Sequence, residues 1–179
     1  MNLYLMRHAI AVAGGEQGVD TDSERPLSAK GIKRMRKAAR GLKRLEITFD
    51  ALLTSPLLRA RQTADIVAQA TGLSDQVEEI SELAPESSVD TLILGLARFR
   101  GREHLLLVGH EPLLSQTVSF LLTGKKNQEL GIELKKGGLC RIEVDGLPPD
   151  KPGKLHWLLA PKQLRLFGER AKKSSTLHE

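Results

Sequence analysis

The sequence predicts an α/β fold, a three-layer sandwich whose mostly parallel central sheet has helices on both faces. Short apolar runs typical of buried strands alternate with longer segments in which apolar residues recur at helical spacing. Prolines and glycines stand near the ends of several segments, where they favour the start or end of a helix. The length of 179 residues suits one domain. We therefore expect a single domain over residues 1–167 and a polar tail over residues 168–179 that frays.

Six segments have the length and apolar character of strands. They are Asn2 to Met6, Asp50 to Thr54, Val77 to Ile80, His104 to Val108, Leu139 to Val144 and Lys154 to Leu159. A Pro/Gly-rich connection joins the last two, which we expect to pair as a hairpin. The other four are separated by helical segments, so they are expected to pair in parallel.

Four segments show helical patterns. The first follows Ser28, the predicted N-cap, and carries most of the clustered lysines and arginines between its apolar positions. The second is expected to begin at Ser55-Pro56, with serine as the cap and proline in the first turn, and to end near Gly72. The third runs from Ser88 to Phe99, and the fourth begins near Pro112. The loop from residue 11 to residue 25 is long enough for a functional role.

Composition excludes several classes of protein. Apolar residues make up 40% of the chain and charged residues 27%, without an apolar run of membrane-spanning length. No secretory signal is visible, and the single Cys140 cannot form an internal disulfide, so we expect a cytoplasmic protein. The net charge of +5 is spread along the chain, and only 3% of residues are aromatic. Neither nucleic acid nor membrane is therefore an expected partner.

Three predicted strands are followed by polar side chains that can bind an anion. Arg7 and His8 follow the first strand, Ser55 and Arg59 the second, and His110 the fourth. The carboxyl ends of parallel strands lie at one edge of a sheet, where ligand sites collect. Arg7 and His8 can share a ligand only if the backbone leaves strand geometry at this point. Two arginines, two histidines and a helix N-terminus predict a site for a dianionic tetrahedral group.

Each of these residues also has a structural interpretation. Arg59 and Arg61 could be solvated helix residues, and His110 could bond the backbone of its turn. Structural roles are favoured for His104 and His156, which lie in predicted strands, and His178 lies in the tail. His8 and His110 differ from these histidines because they follow strands whose carboxyl ends are expected to meet at one edge of the sheet.

The motifs that carry these residues resemble the histidine phosphatase family, and within it the SixA group of small phosphohistidine phosphatases. The likeness covers nearly all of the chain before its tail, and the order and spacing of the motifs make it specific. The matching motifs are R-H at Arg7–His8, R-P-L-S-x-x-G at Arg25–Gly31, S-P-L-x-R-A-x-Q-T at Ser55–Thr63, V-G-H-x-P-L at Val108–Leu113 and W-x-L-x-P at Trp157–Pro161.

The resemblance implies a fold like that of phosphoglycerate mutase and a role for each matching residue. The histidine matching His8 is the nucleophile that takes the phosphoryl group, and those matching Arg7, Arg59 and His110 bind it. We add Ser55 to the phosphate-binding set, and no metal or cofactor is required. Family members usually have glycine after the R-H pair, whereas this chain has Ala9, the smallest replacement; activity is expected to survive the change.

The general acid is less evident from the sequence. Glu82 matches the SixA-like position best, with Asp22 and Glu111 as alternatives, and each could equally be a solvated carboxylate. Protonated imidazole leaves more readily than an alkoxide, so a phosphohistidine substrate would require less of this acid.

The short connections after the third strand favour an open site. We therefore expect the substrate to be a phosphorylated protein of the histidine phosphotransfer type. One alternative is a phosphatase or mutase that acts on small phosphoesters. Another is a non-catalytic module that binds phosphate or phosphoprotein, although such a module would not need a nucleophile beside Arg7. The oligomeric state is left open.

Overall fold

The computed structural model describes residues 1–14 and 21–169. Within these residues the chain forms six strands that make one sheet. The strands are β1 (Asn2–Arg7), β2 (Ala51–Thr54), β3 (Val77–Glu79), β4 (His104–Gly109), β5 (Leu139–Glu143) and β6 (Lys154–Leu159). Their order across the sheet is β3-β2-β4-β1-β5-β6.

The sheet is parallel on one side and antiparallel on the other. Strands β3, β2, β4 and β1 pair in parallel. Strand β5 runs antiparallel to β1, and β6 runs antiparallel to β5, so the predicted hairpin is present. The predicted mostly parallel α/β sheet is thus confirmed.

Helices cover both faces of this sheet. The described residues form α1 (Ala29–Arg44), α2 (Leu58–Thr71), α3 (Val89–Leu96), α4 (Leu113–Thr123) and α5 (Pro161–Phe167). Alternate residues of β1 lie on opposite faces of the sheet. Leu3 and Leu5 pack with apolar residues of α3 and α4. Tyr4 and Met6 pack with those of α1, α2 and α5. This alternation is the two-residue period of a strand buried on both sides.

Some predicted helix boundaries are confirmed, and others are wrong. Ser28 caps α1 by accepting a hydrogen bond from the Gly31 amide, and Gly72 ends α2 with a φ of 81°. The third helix ends at Leu96 and continues as a short 3-10 turn. Ser55 does not cap α2, because that helix begins three residues later, after Leu57. The serine side chain lies instead among the polar groups described below.

Helix α5 was not predicted from the sequence. Its seven residues are too short a run to show a helical apolar stripe, and only Leu164 among them is buried. Tertiary packing stabilises it instead. Gly41 of α1 lies so close to the carbonyl of Leu164 that a methyl group on the glycine would clash with it. Residues 168 and 169 follow this helix, whereas the rest of the expected frayed tail lies outside the described residues.

The register of the parallel strands brings their carboxyl ends to one edge. Arg7 of β1 lies opposite Gly109 of β4, and Thr54 of β2 lies opposite Val108. The residues that follow these strands are therefore neighbours in space. None of the helices in the described part of the chain is long and apolar enough to cross a membrane.

Candidate active site

His8 lies at the point where the chain leaves β1. Its amide still bonds the Gly109 carbonyl at 3.0 Å, while the next amide, that of Ala9, turns to the Thr63 hydroxyl. The His8 ring is 7% exposed, and its Nδ1 lies 2.7 Å from the Ala9 carbonyl oxygen. Because a carbonyl can only accept, Nδ1 carries the proton and Nε2 keeps its lone pair. The His8 imidazole is therefore held in the tautomer that can attack through Nε2.

His110 follows β4 and lies beside His8. The two ring centroids are 5.0 Å apart, and the ring planes are tilted by 51°. His110 Nε2 is 2.8 Å from the Ser55 hydroxyl, whose oxygen accepts a bond from the Leu57 amide and whose proton can be donated to Nε2, which leaves the N–H of a neutral His110 ring on Nδ1. Ser55 is fully buried. Its contacts favour a role in orienting the His110 ring over the direct phosphate contact predicted from the sequence.

Arg59 projects from the first turn of α2 and is 6% exposed. Its Nη1 donates to the Asp22 carbonyl at 2.6 Å, and its Nη2 donates to Asp22 Oδ2 at 2.8 Å. These bonds use two of the five N–H groups of the guanidinium and leave three for a ligand. Asp22 also bonds Arg25 at 2.6 Å. The bond to Arg25, followed by the bond to Arg59, lowers the pKa of the Asp22 carboxyl.

Arg7 is anchored by the segment that precedes β5. Its Nη1 donates to the Leu134 carbonyl at 2.9 Å. Its Nε is buried and has no hydrogen-bond partner among the described residues. Since an unpaired buried donor is unfavourable, this N–H is suited to a ligand oxygen.

Glu111 fixes the segment that anchors Arg7, a role that the sequence analysis missed. One of its carboxylate oxygens accepts from the Leu134 amide at 3.0 Å. The other accepts from the Ser115 amide at 3.2 Å and from its hydroxyl at 2.6 Å. Glu111 thus connects the start of α4 to the residue whose carbonyl binds Arg7. The position of Glu111 directly after His110 was the only signal for this in the sequence.

The remaining motif residues support the same edge of the fold. The Gln62 side chain accepts from the Leu27 amide at 2.7 Å. Thr63 accepts from the Ala9 amide and donates to the Arg59 carbonyl, so one hydroxyl links the loop after His8 to α2. The motif from Ser55 to Thr63 therefore combines Arg59, a predicted phosphate-binding residue, with side chains that hold its neighbours in place.

The three acid candidates all have partners already. Asp22 holds Arg59, and Glu111 holds Leu134, as described above. Glu82, in the 3-10 turn after β3, accepts from Arg98 Nη1 at 2.6 Å. That bond is the main cause that lowers the pKa of Glu82. The hydrogen bonds that Glu82 makes with described residues reach Arg98 and Ser81, and neither residue is a phosphate-binding candidate.

The other described histidines bond structural partners. His104 Nδ1 lies 3.2 Å from the Tyr4 hydroxyl, and His156 Nε2 lies 2.8 Å from a Glu143 carboxylate oxygen. His178 lies outside the described residues. Over residues 1–14 and 21–169, no group of three or more histidine, cysteine, aspartate or glutamate side chains is placed to hold a metal ion.

The electrostatic environment keeps both site histidines neutral. The pKa of His8 is lowered to about 4, and burial is the largest cause. The bond to the Ala9 carbonyl acts in the opposite direction and raises the pKa. The positive charges of Arg59, Arg7 and Lys136 lower it further. Burial and the neighbouring His8 lower the pKa of His110 to about 3. An uncharged nucleophile amid several cations is suited to attack on an anion.

We expect the His8 ring to stay neutral well below the ordinary histidine pKa. Protonation of Nε2 would abolish nucleophilicity, and the pKa of His8 is about 4, so the ring loses its lone pair only as the pH falls through about 4. NMR titration of the ring carbons from about pH 7.5 to about pH 4.5 should show less than half protonation. Arg59→Ala should raise the midpoint, because it removes a positive charge. A midpoint near the ordinary histidine value in the unmodified protein would contradict this prediction.

Comparison with known proteins agrees with this geometry. The model of the histidine phosphatase superfamily (branch 1) matches residues 3–84. Phosphohistidine phosphatase SixA of Escherichia coli strain K12 is 31% identical over 170 residues, which cover 93% of this chain and 98% of the relative. An uncharacterized protein of Picosynechococcus sp. (strain ATCC 27264 / PCC 7002 / PR-6) is 38% identical over 168 residues, or 92% of this chain and 99% of the relative.

A solved structure shares the fold over a similar length. The structure of the protein histidine phosphatase SixA complexed with tungstate superimposes with a TM-score of 0.78 at 26% identity, and it covers 92% of this chain and 99% of the other. These similarities support phosphatase activity, in keeping with an electropositive site around a neutral imidazole. The chain belongs to the histidine phosphatase superfamily.

Proposed function

We propose that the protein removes phosphoryl groups from phosphohistidine on protein partners through a phosphohistidine intermediate at His8. The single observation that carries this proposal is the 2.7 Å contact between His8 Nδ1 and the Ala9 carbonyl, which leaves Nε2 free to attack. Arg7, Arg59 and His110 supply the donors for the phosphoryl oxygens. Such charge-assisted bonds are worth about 1.5–3 kcal/mol each.

The reaction proceeds in two displacements. His8 Nε2 forms a bond to phosphorus while the bond from phosphorus to the substrate nitrogen breaks. The substrate imidazole, protonated beforehand by solvent on its other ring nitrogen, keeps the electron pair of the broken bond and leaves as a neutral ring. The His8 ring gains positive charge in this step, which its Nδ1–H shares with the Ala9 carbonyl. Water then attacks phosphorus, the bond to Nε2 breaks, and inorganic phosphate and neutral His8 result.

The preference for a protein substrate rests on the short connection after β3, on the exposed Asp22 beside Arg59 and on the relatives. Only residues 80–88 connect β3 to α3, so this connection has no long insertion over the site. Asp22, which holds Arg59, is exposed over 60% of its side chain. A phosphorylated side chain on another protein can approach such a site directly. The names of the relatives, phosphohistidine phosphatase and protein histidine phosphatase, agree with this choice.

Turnover of three substrates tests the proposal. A phosphohistidine-containing phosphotransfer protein, a sugar phosphate and an aryl phosphate are compared under identical conditions. We expect the phosphoprotein to have the highest kcat/KM, by about tenfold or more, because the phosphoramidate bond needs less acid assistance. Faster hydrolysis of either small ester would favour the alternative phosphatase or mutase. Phosphate binding without turnover would favour the non-catalytic module.

Glu82 remains the proposed acid for substrates that need one, and to act it must first release Arg98, whose bond lowers the pKa of its carboxyl. We expect Glu82→Gln to lower kcat on an alkyl phosphate by about 10²-fold and on phosphohistidine by less than about fivefold, because protonated imidazole leaves readily. The matched control is Glu79→Gln, which changes an exposed carboxylate that bonds Arg61 at the protein surface. Equal, small effects of Glu82→Gln on both substrates would remove Glu82 from the mechanism.

A further inference from the structure

A second cluster of positive charges borders the candidate active site. A cleft with about 320 Å³ of empty space, its open mouth included, is lined by Ala9, the residue after His8. Three elements contribute a cation each: Arg34 from α1, Lys136 from the loop before β5, and Arg165 from α5. In the following paragraphs, "basic cleft" refers to this cavity and its three cations.

The described residues around the basic cleft do not compensate its charge. Of the residues that the structure describes, those lining the cleft include no carboxylate. Within residues 1–14 and 21–169, none of its three cations forms a salt bridge, whereas Arg61 and Arg98 pair with carboxylates. Like charges around one cavity raise the local positive potential, so the cleft attracts an anion.

The walls between these cations are apolar. Met35 and Ala38 of α1 and Pro161 of α5 line the cavity together with Ala9. A ligand that suits this combination has a short hydrocarbon portion and a terminal negative charge. A glutamate side chain has both features, since its methylene groups can contact the apolar wall while its carboxylate meets the cations.

Backbone hydrogen bonds connect the basic cleft to the segment that carries His8. The amide of Gly137, directly after Lys136, donates to the Arg7 carbonyl at 3.0 Å and to the His8 carbonyl at 3.2 Å. The Lys136 charge also helps to lower the pKa of His8, which places this lysine within electrostatic range of the ring. The basic cleft thus adjoins the segment that carries His8 and is lined by the residue directly after it.

We propose that Arg34, Lys136 and Arg165 form a subsite that binds a carboxylate side chain next to the phosphohistidine of the protein substrate. This inference rests on the proposed function and adds a selectivity to it. The arginines and histidines of the active site bind the phosphoryl group, which every substrate has. The basic cleft distinguishes among phosphoproteins by the residue beside the phosphohistidine.

Two phosphohistidine peptides that differ only in glutamate or glutamine beside the phosphohistidine test the subsite. We expect the wild-type protein to favour the glutamate peptide by about fivefold or more in kcat/KM, through a lower KM. Lys136→Gln and Arg34→Gln should each reduce this preference to about twofold or less. Lys33→Gln is the matched control, because Lys33 is exposed on α1 next to Arg34 but does not line the cleft, and it should keep the wild-type preference.

Salt dependence gives a readout that needs no variant. Salt screens ion pairs at a partly exposed site. The preference of the wild-type protein for the glutamate peptide should therefore decline as the salt concentration rises from about 0.05 M to about 0.5 M. Equal kcat/KM for both peptides at low salt would overturn the subsite and leave phosphohistidine hydrolysis intact. Failure to hydrolyse either peptide would overturn the proposed function, and the subsite with it.

Discussion

Replacing His8 by alanine is expected to lower kcat by at least about 10⁴-fold on every substrate that the protein hydrolyses. The substitution removes Nε2, the nucleophile of the proposed first step. The other groups that bind the phosphoryl group remain, so phosphate should still bind the variant. The measurement is single-turnover hydrolysis of a phosphohistidine protein, with phosphate affinity determined in parallel.

Covalent labelling distinguishes catalysis from binding alone. A labelled phosphodonor should give the wild-type protein an acid-labile phosphoramidate label that His8→Ala cannot acquire. His156→Ala is the matched control, because His156 lies on the edge strand β6 and bonds Glu143 of β5. This variant should retain wild-type labelling and kcat. A label that persists in His8→Ala would refute the assignment of the nucleophile. Phosphate binding by a wild-type protein that never becomes labelled would support the non-catalytic module.

Replacing Arg59 by alanine is expected to lower kcat/KM by about 10²- to 10³-fold. The guanidinium is buried and offers three N–H groups that Asp22 does not use. The charge-assisted bonds from these groups to phosphoryl oxygens should strengthen as the bond to the leaving group breaks. Steady-state kinetics on the phosphohistidine protein measure the loss. Arg59→Lys should restore only part of it, because lysine lacks the planar fork.

Arg61 provides the control for Arg59 on the same helix. It is partly exposed and bonds Asp65 and Glu79 at the surface. Arg61→Ala should leave kcat/KM within about twofold of wild type and change the free energy of unfolding by less than about 1 kcal/mol. Equal losses from Arg59→Ala and Arg61→Ala would show that the activity depends on the charge of α2 in general, and that Arg59 has no specific role.

The periodic parts of the fold were evident from local patterns. The buried runs that became β1 and β4 are apolar because helices cover them on both faces, and the amphipathic stripe of α1 follows from its position on one face of the sheet. Helix α5 has no such stripe, so its formation depends on contact with α1. The predicted cap at Ser55 was wrong because a serine before proline also occurs where its hydroxyl bonds a distant group, here His110.

Local patterns in the chain establish the alternation of strands and helices, and the order of the motifs predicts that Arg7, His8, Arg59 and His110 converge. Three further features arise only when the elements pack together: the protonated nitrogen of His8, the pairing of Asp22 with Arg59, and the support of Leu134 by Glu111. The last two contacts join residues 37 and 23 positions apart. Such hydrogen bonds leave no periodic trace in a chain, because they depend on distance and direction between elements that meet only after folding.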